Sequence, residues 1–154
     1  MGRKLILGGV EIKSTFGLDG HSDADVLLHA ICDALLGAAG FKDIGNQFPN
    51  TDEQYKDISS LKLLKECYRL LKKKDFKIVN IDCMIILEAP KIYKYADMMK
   101  INISAVLKTK KISIKATTSE GLGFVGQGKG CVAYCTALIY KDKKSAEHGF
   151  PSDN

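Results

Sequence analysis

Histidine and carboxylate cluster early in the chain, in Gly20-His21-Ser22-Asp23-Ala24-Asp25 followed by His29 and Asp33. Placed on a helix, Asp25, His29 and Asp33 fall four residues apart and form one polar stripe. His21 precedes the helix start, where free backbone N–H groups favour an anion such as a phosphate. An imidazole at His29 with a carboxylate one turn away suits a metal ligand and its orienting partner. A zinc site takes three or four protein ligands, and this stretch offers one or two. A solvent-facing polar stripe with an incidental histidine therefore stays open beside the metal reading. His21, Ser22 and Asp23 are not a catalytic triad, because triad members converge from separate elements; Ser22 is better placed as a helix cap.

Three further stretches carry usable groups. Asp43-Ile44-Gly45 and Phe48-Pro49-Asn50-Thr51-Asp52 form a polar loop held by Phe and Pro, suited to binding hydroxyls, or an ordinary turn-rich connection. Glu88-Ala89-Pro90-Lys91 falls at a strand-to-helix junction, where ligands collect in α/β folds, or is simply a helix start. Ala116-Thr117-Thr118-Ser119-Glu120 supplies hydroxyls for phosphate oxygens and a carboxylate able to hold a magnesium ion on a diphosphate. Gly121, Gly123 and Gly126 formally match G-x-G-x-x-G, but they precede a strand rather than a helix, which excludes a dinucleotide fold.

The elements that position these groups follow from periodicity. Leu5 to Lys13 reads as two extended pieces around Gly8-Gly9. Val26, Leu27, Ala30, Ile31, Ala34 and Leu35 recur at helical spacing. Ser22 as N-cap with Asp25 three residues on resembles a capping box, and Gly37 and Gly40 end the helix. A loop from Lys42 to about Asp57 leads to a second helix capped by Ser59 or Ser60, with Leu61, Leu64, Tyr68 and Leu71 on its apolar face. Lys77 to Leu87 is a strand with Val79, Ile81, Cys83, Ile85 and Leu87 on one face. Pro90 opens a third helix over about 91–107, Lys111 to Thr117 is a strand, Gly121 to Gly130 a loop, and Cys131 to Tyr140 a strand. The order predicts an α/β (α+β) single domain, a mixed β-sheet with helices packed on one face. Its span is 1–142, with a polar, mobile tail over 143–154.

Composition narrows the function classes. The chain has 154 residues, 45% hydrophobic and 27% charged, ordinary for a soluble domain. The net charge of +5 lies mostly in lysines, in runs such as Lys72-Lys73-Lys74 and Lys108, Lys110, Lys111. These are a solvated basic surface or an attraction for an anionic ligand such as a phosphate ester. With no Trp and no aromatic-interleaved basic stripe, nucleic acid is excluded as a partner. Five cysteines with no CxxC pair point to a reducing compartment. No apolar run reaches the roughly 18 residues of a membrane span, and no secretory signal is visible.

Taken together, the segments resemble the 2-C-methyl-D-erythritol 2,4-cyclodiphosphate synthase family. The matching words are Leu7-Gly8-Gly9-Val10, His21-Ser22-Asp23-Ala24-Asp25, His29-Ala30, Asp33-Ala34-Leu35-Leu36-Gly37-Ala38, Asp43-Ile44-Gly45, Phe48-Pro49, Ala89-Pro90-Lys91, Lys115-Ala116-Thr117-Thr118, Glu120 and Gly123-Phe124. They run from about Leu5 to Tyr140. The resemblance implies a homotrimer with active sites at subunit interfaces. The implied substrate is 4-diphosphocytidyl-2-C-methyl-D-erythritol 2-phosphate, whose 2-phosphate closes on the diphosphate and expels CMP. It implies catalytic roles for His21 and Thr118, with Ser22 in the same substrate-binding turn. Substrate contacts would come from Asp43, Ile44, Gly45, Phe48, Pro49, Asn50, Thr51, Asp52, Ala116, Thr117, Ser119, Glu120, Phe124 and Gln127. A cytosine pocket over Leu87, Glu88, Ala89, Pro90, Lys91, Ile92 and Tyr93 would read the base through backbone groups. Zinc would bind at His29, and magnesium or manganese at Glu120. The location implied is the cytoplasm, or a plastid-type organelle in a eukaryote.

The chain also departs from the family pattern. The family opens with a strand bearing Asp-x-His that completes the zinc site; the one Asp-x-His here, Asp19-Gly20-His21, falls in the turn-rich stretch before the first predicted helix and not on an opening strand. A shortened or misplaced start is the expected cause. Glu147 and His148 as substitutes, or a non-catalytic trimer binding cytidine nucleotide or isoprenoid diphosphate, are the alternatives. Asn50 stands where the family has an aspartate, and Gln127 and Lys129 where it has arginine and glutamate.

Overall fold

The computed structural model describes residues 4–14 and 24–141. Two short strands, β1 (Leu5–Leu7) and β2 (Val10–Ile12), pair antiparallel around Gly8-Gly9 as a separate two-stranded ribbon. A three-stranded sheet has the order β4-β3-β5, built from β3 (Phe76–Ile86), β4 (Ile112–Thr117) and β5 (Val132–Lys141). β3 runs parallel to β4 and antiparallel to β5. A parallel neighbour needs a crossover, and α4 (Ala96–Leu107) supplies it. The predicted mixed sheet with helices on one face is what the chain forms.

Helix α1 (Val26–Ala38) buries Leu27, Leu28, Ile31, Cys32, Leu35 and Leu36. So many apolar positions cover more than one stripe because α1 meets the sheet on one side and α3 (Ser60–Lys73) on the other. α3 adds Leu63, Leu64, Cys67 and Leu71, α4 adds Met99, Ile103 and Leu107, and the sheet answers with Ile81, Cys83 and Ile85.

Several boundaries differ from the sequence expectation. α1 runs through Gly37 and stops at Gly40, whose φ of +78° permits Gly40 N–H to reach the Gly37 carbonyl and Phe41 N–H the Leu36 carbonyl. Pro90 does not open the third helix. A cis Ala89–Pro90 peptide and a 3₁₀ turn over Tyr93–Tyr95 intervene before α4. The 42–57 loop contains the one-turn helix α2 (Ile44–Gln47) and a 3₁₀ turn (Glu53–Tyr55), and the glycine-rich loop contains α5 (Gly123–Gly126). Val79 falls where the β3–β5 register shifts, so the inward alternation starts at Ile81. The predicted 143–154 tail lies outside the described residues. Among those described, no helix is long and apolar enough to cross a membrane.

Candidate active site

The polar stripe of α1 divides into three separate jobs. Asp25, not Ser22, is the N-cap: its fully buried carboxylate accepts from Leu28 N–H at 3.0 Å, Gly8 N–H at 3.0 Å and Gly9 N–H at 2.7 Å. This replaces both the capping box and the solvent-facing stripe. Gly8 holds φ +58°, and a Cβ there would sit 2.7 Å from that of Met99, so only glycine brings this amide to the carboxylate. His29 follows one turn later, with Nε2 3.0 Å from the hydroxyl of the buried Ser60. Asp33 Oδ1 accepts from Ile44 N–H at 2.9 Å and ties α1 to the next loop. His21 and Ser22 lie outside the described residues.

That loop closes over His29. A cavity of about 310 Å³ is lined by His29, Ile44, Gly45, Phe48, Pro49 and Asn50, together with Tyr55, Asp57, Ile58 and Leu63. Phe48 is buried and meets the Tyr55 ring edge-on at 5.3 Å, which fixes the loop. Asp43 caps α2, accepting from Asn46 N–H at 2.9 Å, and the Asn46 side-chain amide holds its carboxyl below the usual range. Thr51 and Asp52 do not line this cavity. Asp52 instead caps the Glu53–Tyr55 turn through Gln54 N–H at 3.2 Å and Gln54 Nε2 at 2.8 Å.

A second cavity, of about 210 Å³, forms where β3 and β4 end side by side. Leu87 N–H donates to Thr117 O at 3.0 Å, the last bond of the parallel ladder. The lining is Leu87, Glu88, Pro90, Lys91, Ile92, Tyr93, Ala116, Thr117 and Thr118, with Ile92 buried. Thr118 Oγ1 accepts from Glu120 N–H at 3.2 Å. Glu120 and Gly121 both take positive φ, +54° and +76°, within a turn closed by Leu122 N–H to Ser119 O at 3.0 Å. Gly126 packs under it; a Cβ there would fall 2.1 Å from the Gly121 carbonyl carbon.

The predicted residues therefore gather into two groups with no lining residue in common. Ser119 and Glu120 stand beside the second cavity in the adjoining turn. Phe124 is exposed over Gly130, Gln127 is the exposed C-cap of α5, and neither lines either cavity. Lys72 and Lys108 line a separate cleft at the opposite end of β3. Sequence reasoning missed Ser60 as the partner of His29. The pair Ser59-Ser60 left the cap undecided; Ser59 takes it, accepting from Lys62 N–H, and that turns Ser60 inward.

Metal ligation can be tested on these side chains. Among the described residues no group of three or more His, Cys, Asp or Glu could hold an ion. His29 offers one imidazole, already against a hydroxyl, and Glu120 one exposed carboxylate. The described residues alone do not complete a zinc site.

Residues 1–140 match the YgbB family. The chain belongs to the YgbB family. A curated relative from Chlorobium phaeobacteroides, named 2-C-methyl-D-erythritol 2,4-cyclodiphosphate synthase, is 56% identical over 140 residues, 90% of this chain and 89% of the relative. A relative of the same name from Syntrophomonas wolfei is 51% identical over the same shares. The solved IspF of Plasmodium falciparum, in complex with CDP, is 36% identical with a TM-score of 0.80, over 91% of this chain and 86% of that one. YgbB membership thus covers both cavities and the turns beside them, because both fall within the matched span.

Proposed function

We propose that this chain is a phosphorus–oxygen lyase that converts 4-diphosphocytidyl-2-C-methyl-D-erythritol 2-phosphate to 2-C-methyl-D-erythritol 2,4-cyclodiphosphate and CMP. An oxygen of the 2-phosphate forms a bond to the β-phosphorus. The bond from that phosphorus to the bridging oxygen breaks, and CMP leaves with the electron pair. No protein nucleophile is needed, so catalysis is positioning together with neutralisation of developing charge. The observation that carries this reading is the identity of 56% to a synthase across 90% of the chain. The cavity geometry supports it. The Leu87–Tyr93 cavity takes the cytosine, and the hydroxyls of Thr117 and Thr118, which line it, face the phosphates, with Ser119 in the adjoining turn. The His29 cavity, lined by Gly45 and Asn50 and with Asp43 next to it in the chain, takes the erythritol end.

The protein works as a homotrimer in which the His29 cavity of one chain meets the Thr118 cavity of its neighbour. Two features support this: the cavities share no lining residue within one chain, and β5 leaves Tyr134 and Leu138 exposed on the face away from the helices. Zinc at His29 and magnesium or manganese at Glu120 belong to this proposal; the first needs ligands from outside the described residues, and no step is derived through either. A catalytic role for His21 and a substrate-binding role for Ser22 belong to the same proposal, and the enzyme acts in the cytoplasm. The test is CMP release from the purified protein with this substrate and divalent metal, read by liquid chromatography. Turnover supports the proposal. Cytidine nucleotide binding without turnover would leave a binding module in its place.

A further inference from the structure

Glu88 was expected among the residues of the base pocket, contributing backbone. Its side chain does something else. The carboxylate crosses from the end of β3 to the turn after β4: Oε2 accepts from Ser119 N–H at 3.2 Å and Oε1 from Gly121 N–H at 3.1 Å. The Ser119 hydroxyl also lies 3.4 Å from Oε2, but its single proton goes to Leu122 O at 2.7 Å. Each carboxylate oxygen thus holds one amide, on either side of Glu120.

The turn needs such a hold. Glu120 at φ +54° is a non-glycine residue in left-handed backbone, and Gly121 follows at φ +76°. Left-handed backbone is unfavourable for a residue with a Cβ, so the turn keeps this shape only where its surroundings enforce it. Charge-assisted bonds from amides to a carboxylate are stronger than neutral ones. Thr118, which the proposed reaction sets against the phosphates, sits on this turn beside Glu120, the proposed magnesium or manganese ligand. Glu88 also lines the cavity assigned to the base.

We propose that Glu88 is a positioning residue: its carboxylate clamps the Ser119–Gly121 turn and so fixes the distance between the base-binding cavity and the groups that face the diphosphate. The inference rests on the proposed cyclisation. Misplacing reacting groups by about 1 Å can cost on the order of 100-fold in rate, while the base pocket is left standing. Glu88→Ala should therefore lower kcat by about 10–100-fold. CMP Kd should stay within about threefold, because the backbone at 87–93 is retained. Glu88→Gln keeps one carbonyl acceptor for two amides and should fall between the two proteins.

Hydrogen exchange at the Ser119 and Gly121 amides is the second readout. It should quicken in Glu88→Ala relative to the β3 amides. Unchanged kcat in Glu88→Ala, or CMP binding lost in proportion to kcat, overturns the inference, as does unchanged exchange at those two amides. If the unaltered protein binds CMP but releases none from the substrate, the proposed function fails instead. The exchange comparison then still decides whether the carboxylate holds the turn.

Discussion

At Asp25 a carboxylate removed from water accepts from the amides of Gly8, Gly9 and Leu28, so one side chain closes the β1–β2 turn and starts α1. Removing it leaves those buried donors without this acceptor and the helix without its cap. Asp25→Ala should destabilise the fold by about 2–4 kcal/mol, read as a lower midpoint in urea with the slope unchanged. Asp25→Asn keeps one acceptor oxygen but sets an NH₂ against a donor, and should recover little. An unaltered midpoint in both variants would mean that the carboxylate does not hold this junction. Asp43 is the contrasting case, a cap exposed to solvent. Asn46, first through its side-chain amide and then through its backbone N–H, lowers the Asp43 pKa. A lowered folded-state value contributes stability above the ordinary carboxylate range, and that stability disappears as pH falls through the folded value. Asn46→Ala should shift the Asp43 titration upward, followed by NMR of the side-chain carboxyl carbon. An unmoved curve would remove Asn46 as the cause.

Elements were legible in the sequence where a period had room to repeat. α1, α3, β3 and β5 each hold ten or more residues and were legible as elements, although α3 buries Leu63 and Cys67 besides the expected Leu64 and Leu71, and the expected β3 face loses Val79. α2 and α5, of four residues each, are shorter than the window in which a helical period can be told from a turn. Asp25 and Glu88 were legible as polar residues near element ends but not in their partners, because those partners are backbone amides 16–33 residues away. Local preference ranks Ser and Asp as equal caps; contact with Gly8 and Gly9 decides between them. The cysteines behaved as small hydrophobes, and they also pair across elements. Cys32 of α1 meets Cys67 of α3, and Cys83 Sγ lies 3.6 Å from Cys135 Sγ across β3 and β5. Hydrogen bonding to Cys67 and then burial raise the Cys32 pKa, hydrogen bonding to Cys135 and then burial raise that of Cys83, and burial pushes Cys131 up to about 11. The sign follows from proton counts. Above the ordinary thiol pKa the unfolded chain has released protons that the folded chain keeps, so stability falls as pH rises past about 9. Urea midpoints should drop between pH 8 and 10, by less in Cys83→Ser than in the parent protein, since the serine does not titrate there. An equal drop in the two proteins would assign the alkaline loss to other groups.

At the scale of the whole molecule, the sheet has one face under α1, α3 and α4 and another that carries Tyr134 and Leu138 in the open beside the Asp82–Lys115 ion pair. The proposed trimer would cover these exposed apolar side chains. Leu138→Lys should shift the mass measured by light scattering toward that of one chain and lower turnover with it. A sharper test uses the separation of the two cavities. His29→Ala and Thr118→Ala should each abolish most CMP release while keeping the trimer mass. When the two variants are co-expressed in equal amounts with different tags, trimers mix at random. A site built between neighbours is intact only where a chain retaining His29 meets a chain retaining Thr118. Each condition holds for half the chains, so about one quarter of sites should be whole and about one quarter of the unaltered turnover should return. A site formed within one chain would recover none, because no single chain then carries both groups. Activity restored in the doubly tagged fraction but absent from either variant alone would place the two cavities on different subunits of one active site. Absence of activity in a doubly tagged trimer of correct mass would defeat the shared-site arrangement while leaving the family assignment untouched.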